Sequence, residues 1–348
     1  MKEIYQILKT AKHLSDKELK YVSNALLDML SKSNEVYGTS VKKIEKCRKC
    51  NAEQIVKFGK DKNGKQRYKC KSCGATFIET SFSAISHTRH SDAVWSDYIY
   101  LLLKGASLEE CAYRCRISVR TAFIWRHKIL NALQKDQADR MMGGIVEADE
   151  MFLPVSYKGN HSKSKRFTMP REAFKRGTDN RSNRVAKACI MCAVERNGQS
   201  YSEVLGAGQP TVKMIDHAFG KRIIPDSIML ADGALAMKNY FAKKTDVALI
   251  RLQSTTSGSH HGGDPEIRGI YHIQSANNYH KRLNDFLRRY NGVSTKYLNH
   301  YVSLFAWIEN HKSLDITLEE SVQTFITEQS QYVTPESLFD MPAIPQVA

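Results

Sequence analysis

Long apolar runs are missing from this sequence of 348 residues. No stretch approaches the roughly 18–20 apolar residues of a membrane-spanning helix, and the opening MKEIYQILK lacks the apolar centre of a secretory signal. Cysteine is also scarce, because eight cysteines in a chain of this length do not make a disulfide scaffold. These absences exclude collagens, coiled coils, membrane proteins and small secreted modules. They favour a cytoplasmic protein without a membrane partner.

Acidic residues are the second shortage. The chain has 52 Lys and Arg against 36 Asp and Glu, a net charge of +16, which is typical of proteins that bind polyanions such as nucleic acids. Residues 43–71 hold eleven basic and three acidic residues, and residues 156–187 hold ten and two, so each stretch carries +8. Two solvated loops would have the same composition. In the second stretch the candidate DNA-binding residues are Lys163, Lys165 and Arg166.

Half of the cysteines form two local pairs, Cys47-x-x-Cys50 and Cys70-x-x-Cys73. Each pair can present two thiolates from one tight turn, and the 19 residues between the pairs suit a β-hairpin. Four unrelated thiols are the alternative. We predict a zinc ribbon over residues 44–80, with Zn²⁺ in a structural role because four protein ligands leave no open position for catalysis.

The rest of the chain is predicted to hold four further segments. Residues 1–43 have the pattern of amphipathic helices, residues 91–135 that of a helix-turn-helix, and residues 313–348 that of a C-terminal helix and tail. Between them, residues 143–312 alternate short strands with helices, which predicts a mixed α/β fold. The predicted strands of this unit are 144–153, 185–194, 199–205, 227–232 and 247–252.

The helix-turn-helix prediction depends on capping signals. Ser107-x-x-Glu110 is a capping box, and Ser118 can cap the helix that follows it. An ordinary helical hairpin would show the same pattern. If the last helix enters DNA, its outer face offers side chains suited to phosphates or base edges. These candidates are Arg120, Thr121, Arg126 and Lys128.

Two acids of the α/β unit are candidate metal ligands. Asp149 lies within the first predicted strand, and Asp232 ends a later one. An ionised carboxylate in a central strand is costly unless it is paired or binds a metal, and two of them suit Mg²⁺ or Mn²⁺. Glu147 shares a strand face with Asp149 and is a candidate accessory ligand, whereas Glu150 points the other way. A single Asp at a strand end would more simply form a turn.

A polar helix face supplies the third candidate. In the helix predicted over residues 273–290, Asn277, Lys281 and Asn284 fall close together at 100° per residue, away from the apolar stripe. A solvated polar face is the alternative interpretation. Together with the two aspartates, this face would complete an oxygen-rich site.

The order of these motifs resembles that of zinc-ribbon insertion-sequence transposases of the ISXO type. After the cysteine pairs come Thr-Ala-Phe-Ile-Trp-Arg-His-Lys, Val-Glu-Ala-Asp-Glu, Leu-Ala-Asp-Gly and Tyr-His-Ile-Gln-Ser-Ala-Asn-Asn-Tyr-His-Lys-Arg-Leu, across residues 44–310. The resemblance implies a ribonuclease-H-like mixed sheet with flanking helices. It also implies a DDE-type triad in the branch where Asn replaces the third acid, here Asp149, Asp232 and Asn277. The family commonly has Lys seven residues later, but this chain has Asn284, and Lys281 is one turn away.

What the resemblance implies for function is metal-dependent cleavage of DNA at the ends of an insertion sequence, followed by transfer of the strand to target DNA. Two Mg²⁺ or Mn²⁺ ions would serve both steps, and the partners would be double-stranded DNA and further copies of this chain, in a nucleoid-associated location. Two alternatives stay open. One is an inactive, domesticated DNA-binding regulator, to which the neutral Asn277 would be suited, and the other is a zinc-ribbon nuclease without strand transfer.

Overall fold

The computed structural model describes residues 44–345, apart from 62–63, 139, 160–186, 197, 233, 253–266, 268, 313–321, 323–325 and 327–331. The predicted helical segment 1–43, most of the predicted helix in 313–348, and Lys163, Lys165 and Arg166 therefore lie outside the described residues. The described residues divide into two compact units. One holds residues 44–79 and 91–93, and the other holds the remainder.

A three-stranded antiparallel sheet makes up most of the first unit. Its strands are β1 (Ile55–Lys60), β2 (Gln66–Cys70) and β3 (Thr76–Phe77), in the order β1-β2-β3. The predicted hairpin between the two cysteine pairs is formed by β1 and β2, whose first residue pair joins Ile55 to Cys70. This pairing brings the beginning of one strand to the end of the other, beside both cysteine turns.

Three helices follow, α1 (Asp92–Leu103), α2 (Leu108–Cys115) and α3 (Val119–Ala138). The predicted caps are present, because Ser107 accepts a hydrogen bond from the Glu110 backbone N–H at 3.1 Å and Ser118 accepts one from the Thr121 N–H at 3.0 Å. Arg116 ends α2 in the left-handed conformation. These contacts separate three successive helices. Such helices occur both in a helix-turn-helix and in a plain helical bundle.

A five-stranded mixed sheet forms the centre of the second unit. Its strands are β4 (Ile145–Pro154), β5 (Lys187–Glu195), β6 (Ser200–Ala207), β7 (Ser227–Ala231) and β8 (Val247–Arg251), in the order β6-β5-β4-β7-β8. The pairs β4–β5 and β5–β6 are antiparallel, whereas β4–β7 and β7–β8 are parallel. The predicted mixed α/β fold is confirmed, and all five strands lie at the predicted positions.

Helices cover both faces of this sheet. Helices α4 (Val212–Phe219) and α5 (Leu235–Phe241) share a buried apolar cluster with Val146 and Ala148 of β4. Helices α6 (Gln274–Arg288) and α7 (Thr295–His311) share another with Met151 of β4 and with helices α1–α3. A short last helix, α8 (Pro335–Phe339), lies beside α3. Because side chains alternate along a strand, odd-numbered residues of β4 between 147 and 151 face α6 and α7.

None of the helices within the described residues is both long and apolar enough to cross a lipid bilayer.

Candidate metal sites and DNA-binding helix

The four cysteines of the first unit converge on one point. Each pair lies in a turn closed by a backbone hydrogen bond, from the Asn51 N–H to the Cys47 carbonyl and from the Gly74 N–H to the Cys70 carbonyl. Asn51 and Gly74 both take positive φ, 61° and 70°, a conformation that Gly and Asn tolerate best. The two turns therefore have the same shape, and each directs two thiols to the same side.

The sulfur positions fit a tetrahedral metal. All four sulfurs lie within 4.8 Å of one another, and the distances from Cys47 to Cys73 and from Cys50 to Cys70 are both 3.7 Å. Four thiolates at a Zn–S distance of 2.3 Å would be about 3.8 Å apart in a regular tetrahedron. The residues present therefore fit a structural zinc ion.

Thiol ionisation agrees with this fit. The backbone N–H groups of Cys73 and Ser72 lower the pKa of Cys70 to about 6. The Ala52 N–H acts in the same direction on Cys50, but the neighbouring Cys73 sulfur and burial outweigh it and raise the pKa of Cys50 to about 12. Four crowded sulfurs do not all ionise on their own, and a divalent cation would supply the missing charge.

Asp149 and Asp232 lie side by side on the mixed sheet. Ala148 of β4 and Ala231 of β7 are partners in the parallel register, so the two aspartates are the next residues along neighbouring strands. Asp232 is the first residue after β7, neighbouring strands are about 4.8 Å apart, and the charge of Asp232 acts on Asp149. The sheet therefore brings together two carboxylates that are 83 residues apart in the sequence.

Burial and charge repulsion both act on Asp149 and on its neighbour Glu150. Burial raises the pKa of Asp149 to about 6, with a further contribution from the charge of Asp232 and opposition from the Glu150 backbone N–H. The neighbouring Glu150 has its pKa raised to about 7 by burial and by the charges of both aspartates. Its Oε1 atom is buried without a hydrogen-bond partner among the described residues. The repulsion within this group of acids would be relieved by a cation bound between them.

Helix α6 faces Asp149. His280 Nδ1 lies 3.6 Å from Asp149 Oδ2, and burial lowers the pKa of His280 to about 4, against a hydrogen bond to the Asp149 backbone. Asn277 and Lys281 are exposed and Asn284 is half-buried. At 100° per residue, His280 lies about 60° from Asn277 around the helix, so Asn277 is the member of the predicted polar face on the side of His280, together with Asn284.

Two residues of this site escaped the sequence analysis. His280 lies between the polar face and the apolar stripe of α6, about 60° from Asn277, and was not among the residues selected from that face. Glu150 was set aside because it points to the opposite side of the strand, although it is close enough to interact with both aspartate charges.

Glu147 corrects one prediction. Its side chain is fully buried, and Arg196 Nε lies 2.6 Å from its Oε1 atom. Its other oxygen accepts hydrogen bonds from the backbone N–H groups of Ser275 and Ala276 at 2.7 and 3.2 Å. An acid whose two oxygens are both occupied in this way is not an accessory metal ligand, so the role predicted for Glu147 is wrong.

Three of the four candidate DNA-binding residues of α3 are exposed or half-buried, and the fourth, Arg126, is buried. Arg120 is exposed with its guanidinium 5.6 Å from the centre of the Phe339 ring. Thr121 is half-buried and shares a hydrogen bond with the Ser118 hydroxyl. Lys128 is half-buried with its ammonium 5.1 Å from the Tyr332 ring.

Arg126 corrects a second prediction. It is only 2% exposed, and its Nη2 atom donates to the Ala106 carbonyl at 2.7 Å and contacts Cys111 Sγ at 3.6 Å. Its position about 240° around the helix from Arg120 places it in the interior among α1–α3. A side chain in this position does not reach a phosphate, so the outer-face assignment of Arg126 is wrong.

Comparison with known proteins places the mixed-sheet unit in a family context. Residues 141–310 match the family described as the ISXO2-like transposase domain. An uncharacterised protein in the transposable element ISH50 of Halobacterium salinarum is 22% identical over 260 residues, which are 74% of this chain and 83% of that protein. The family match does not include the cysteine cluster at residues 47–73.

Two solved structures are similar over most of their length. A pre-cleavage Mos1 transpososome is 12% identical, covers 71% of this chain and 81% of its own, and has a TM-score of 0.20. A Mos1 mariner paired-end complex with Mn is 14% identical with the same coverage and the same TM-score.

Proposed function

Since residues 141–310 match the ISXO2-like transposase domain family, we propose that this chain is a DNA transposase that cleaves DNA at the ends of an insertion sequence and transfers the freed strand to target DNA. The observation that carries the proposal is the convergence of Asp149, on β4, and Asp232, directly after the neighbouring parallel strand β7, beside His280 of α6. The strand order β6-β5-β4-β7-β8, with three antiparallel strands followed by two parallel ones, supports a ribonuclease-H-like assignment.

Asp149, Asp232 and Asn277 are the proposed ligands of the catalytic cations, Mg²⁺ or Mn²⁺. Carboxylate and amide oxygens are the donors that these hard cations prefer, and the mutual repulsion of the acids is what a cation would relieve. When bound, such ions lower the pKa of an attacking water or hydroxyl and neutralise the charge on the leaving oxygen. Asn277 is neutral, so we expect weaker metal binding than with Glu at that position.

The chain's own residues have further tasks around these ligands. His280 is neutral at physiological pH because its pKa is low, and its contact with Asp149 restricts that side chain without competing as a cation. Lys281 and Asn284 follow on the same face of α6 and are proposed to contact the DNA backbone near the scissile phosphate. Lys281 would then supply the charge that the family commonly places at the position of Asn284.

DNA binding is proposed for the exposed start of α3 and for the two basic stretches. Arg120 and Thr121 lie in the first turn of α3, the part of a recognition helix that contacts base edges. The basic residues of 43–71 and 156–187, including Lys163, Lys165 and Arg166 outside the described residues, would contact phosphates. Pairing of two DNA ends requires more than one active site, so we propose a homo-oligomer on double-stranded DNA.

The test is strand cleavage on a duplex that carries the inverted repeats flanking the gene, across a titration of Mn²⁺. We expect nicking by the wild type, none by Asp232→Asn, and a greatly reduced rate in Asn277→Ala at limiting metal. Asp226→Asn is the matched control, because Asp226 precedes the same strand that Asp232 follows and is exposed at its other end. Wild-type activity of Asn277→Ala at every metal concentration would remove Asn277 from the ligand set. Specific end binding without any cleavage by the wild type would favour the inactive regulator.

A further inference from the structure

The start of helix α6 lacks a cap of its own. The residue before it, Ile273, has no side-chain acceptor, and no side-chain cap is formed there. In α4, by contrast, Thr211 accepts a hydrogen bond from the Met214 N–H. The first N–H groups of a helix have no partners within the helix, and leaving them unpaired in a buried place is costly. At α6, His272 Nδ1 accepts the Gln274 N–H at 3.3 Å, so the partners of the Ser275 and Ala276 N–H groups must come from elsewhere.

That partner is Glu147 on the neighbouring strand β4. One of its oxygens accepts the N–H groups of both Ser275 and Ala276, at 2.7 and 3.2 Å, and the other accepts the Ser275 hydroxyl at 3.0 Å. A carboxylate is well suited to this place because the helix N-terminus carries a partial positive charge. Strand β4 thus supplies the acceptor for two N–H groups that no residue at the start of α6 pairs.

Arg196 fixes this carboxylate from the other side. Its Nε atom lies 2.6 Å from Glu147 Oε1, and its Nη2 atom donates to the backbone carbonyls of Ile270 and His272 at 2.9 and 3.4 Å. The same arginine therefore binds both the carboxylate and the segment that leads into α6. Strand, preceding segment and helix start are held together in one hydrogen-bonded group.

This attachment lies close to the proposed metal ligands. Asp149 is two residues beyond Glu147 on the same face of β4, a distance of about 6.6 Å along a strand. His280, which contacts Asp149, is five residues beyond Ser275, about 7.5 Å along a helix. The two spacings match, so one stretch of α6 meets β4 at both points, and Asn277 lies between them.

We propose that Glu147 is a positioning residue that caps α6 from β4 and thereby sets the location of Asn277 relative to Asp149. This inference rests on the proposed function for its catalytic consequence, but the cap itself does not depend on it. The substitution that tests it is Glu147→Gln, which keeps the size of the side chain but loses its charge and one of its two acceptor oxygens. The matched control is Glu309→Gln, because Glu309 also contacts α6, through Arg282 at 3.0 Å.

The first readout is amide hydrogen exchange of the peptide containing residues 270–280 in metal-free protein. We expect exchange at the start of α6 to be about tenfold faster in Glu147→Gln and unchanged in Glu309→Gln. If Glu147→Gln does not fold, Ser275→Ala replaces it, since this variant removes only the hydroxyl bond to Glu147, and a roughly threefold increase is expected. Equal protection in the variant and the control would overturn the cap.

The second readout is the Mn²⁺ concentration that gives half-maximal cleavage of an end-containing duplex. It should rise about tenfold in Glu147→Gln, with no change in DNA affinity, because only the metal ligands are displaced. A wild type that cleaves, together with a Glu147→Gln variant that has the wild-type metal requirement, would overturn the positioning role alone. A wild type that does not cleave would instead refute the proposed function, and hydrogen exchange would still decide the cap.

Discussion

The two units of this protein differ in what holds them together. Among residues 44–79 as described, the buried apolar side chains are those of Cys47, Cys70 and Phe77, so two of the three belong to the proposed zinc ligands. The second unit instead buries two large apolar clusters, on opposite faces of a mixed sheet. In the first unit, the proposed zinc ligands make up most of the buried core. In the second unit, the apolar core is separate from Asp149 and Asp232, the acids of the proposed cation site. Removal of metal should therefore affect folding in one unit and chemistry in the other.

Zinc removal is the change with the largest expected effect on this comparison. Structural zinc contributes apparent free energies of about 10–16 kcal/mol in small zinc-binding peptides, far more than three buried side chains supply. We expect a chelator to unfold residues 44–79, as measured by amide hydrogen exchange, without changing tryptophan fluorescence. The three tryptophans, Trp95, Trp125 and Trp307, all belong to the second unit.

Metal analysis gives the matching test in variants. The purified protein should contain about one zinc per chain, and Cys70→Ser should lose it while Cys115→Ala, a change at a buried cysteine outside the cluster, keeps it. A full zinc content in Cys70→Ser would show that the four-cysteine assignment is wrong.

Acid should act on the second unit through its buried histidines. His127 and His300 share a hydrogen bond of 2.8 Å between their Nδ1 atoms, joining α3 to α7. Burial lowers the pKa of His300 to about 4, and it also lowers the pKa of His127. An unfolded histidine binds its proton near pH 6.5, so between pH 6.5 and 4 the unfolded state binds more protons. The contribution of His300 to the free energy of unfolding should therefore be constant above pH 6.5 and fall below it, by up to about 3 kcal/mol.

Urea unfolding followed by tryptophan fluorescence measures this dependence in the second unit alone. His300→Gln should flatten the curve between pH 6.5 and 5, whereas His217→Gln, a change at a more exposed histidine, should leave it as in the wild type. Identical curves for His300→Gln and the wild type would contradict the assignment.

The smallest expected effect is on DNA affinity, and it separates two arginines of α3, one exposed and one buried. Replacing the exposed Arg120 by Ala should weaken binding to the element's ends about tenfold, as expected for the loss of one side-chain contact to DNA. Replacing the buried Arg126 by Met should leave the affinity of the folded protein unchanged. Fluorescence anisotropy with end-containing and unrelated duplexes distinguishes specific from general binding. Equal losses in both variants would contradict the placement of the recognition surface.

What could be predicted from the sequence follows the same division. The cysteine turns are local, so the spacing Cys47-x-x-Cys50 was enough to predict a cluster that the structure assembles. The strands of the mixed sheet were also predictable, because buried strands are short apolar runs bounded by turns. The resemblance to insertion-sequence transposases is confirmed by the family match over residues 141–310.

The errors arose where partners come from distant parts of the chain. Strand alternation correctly placed Glu147 on the face of Asp149, but its partners at the start of α6 are 128 and 129 residues away. Arg126 was judged by its charge, although its angular position on α3 already separated it from Arg120. The sequence pattern predicts which face of a helix or strand a residue occupies. Which residues that face contacts depends on how the helices and strands pack against one another.

Anomalous diffraction at the manganese edge would decide whether Asp149, Asp232 and Asn277 form one cation site. Crystals of the protein bound to an end-containing duplex would be grown with Mn²⁺. We expect a manganese peak with carboxylate oxygens of Asp149 and Asp232 within its coordination distance, about 2.0–2.3 Å, and with Asn277 Oδ1 beside it. Full occupancy of the DNA without manganese between the two aspartates, or manganese bound at other residues only, would show that these three residues do not form a cation site.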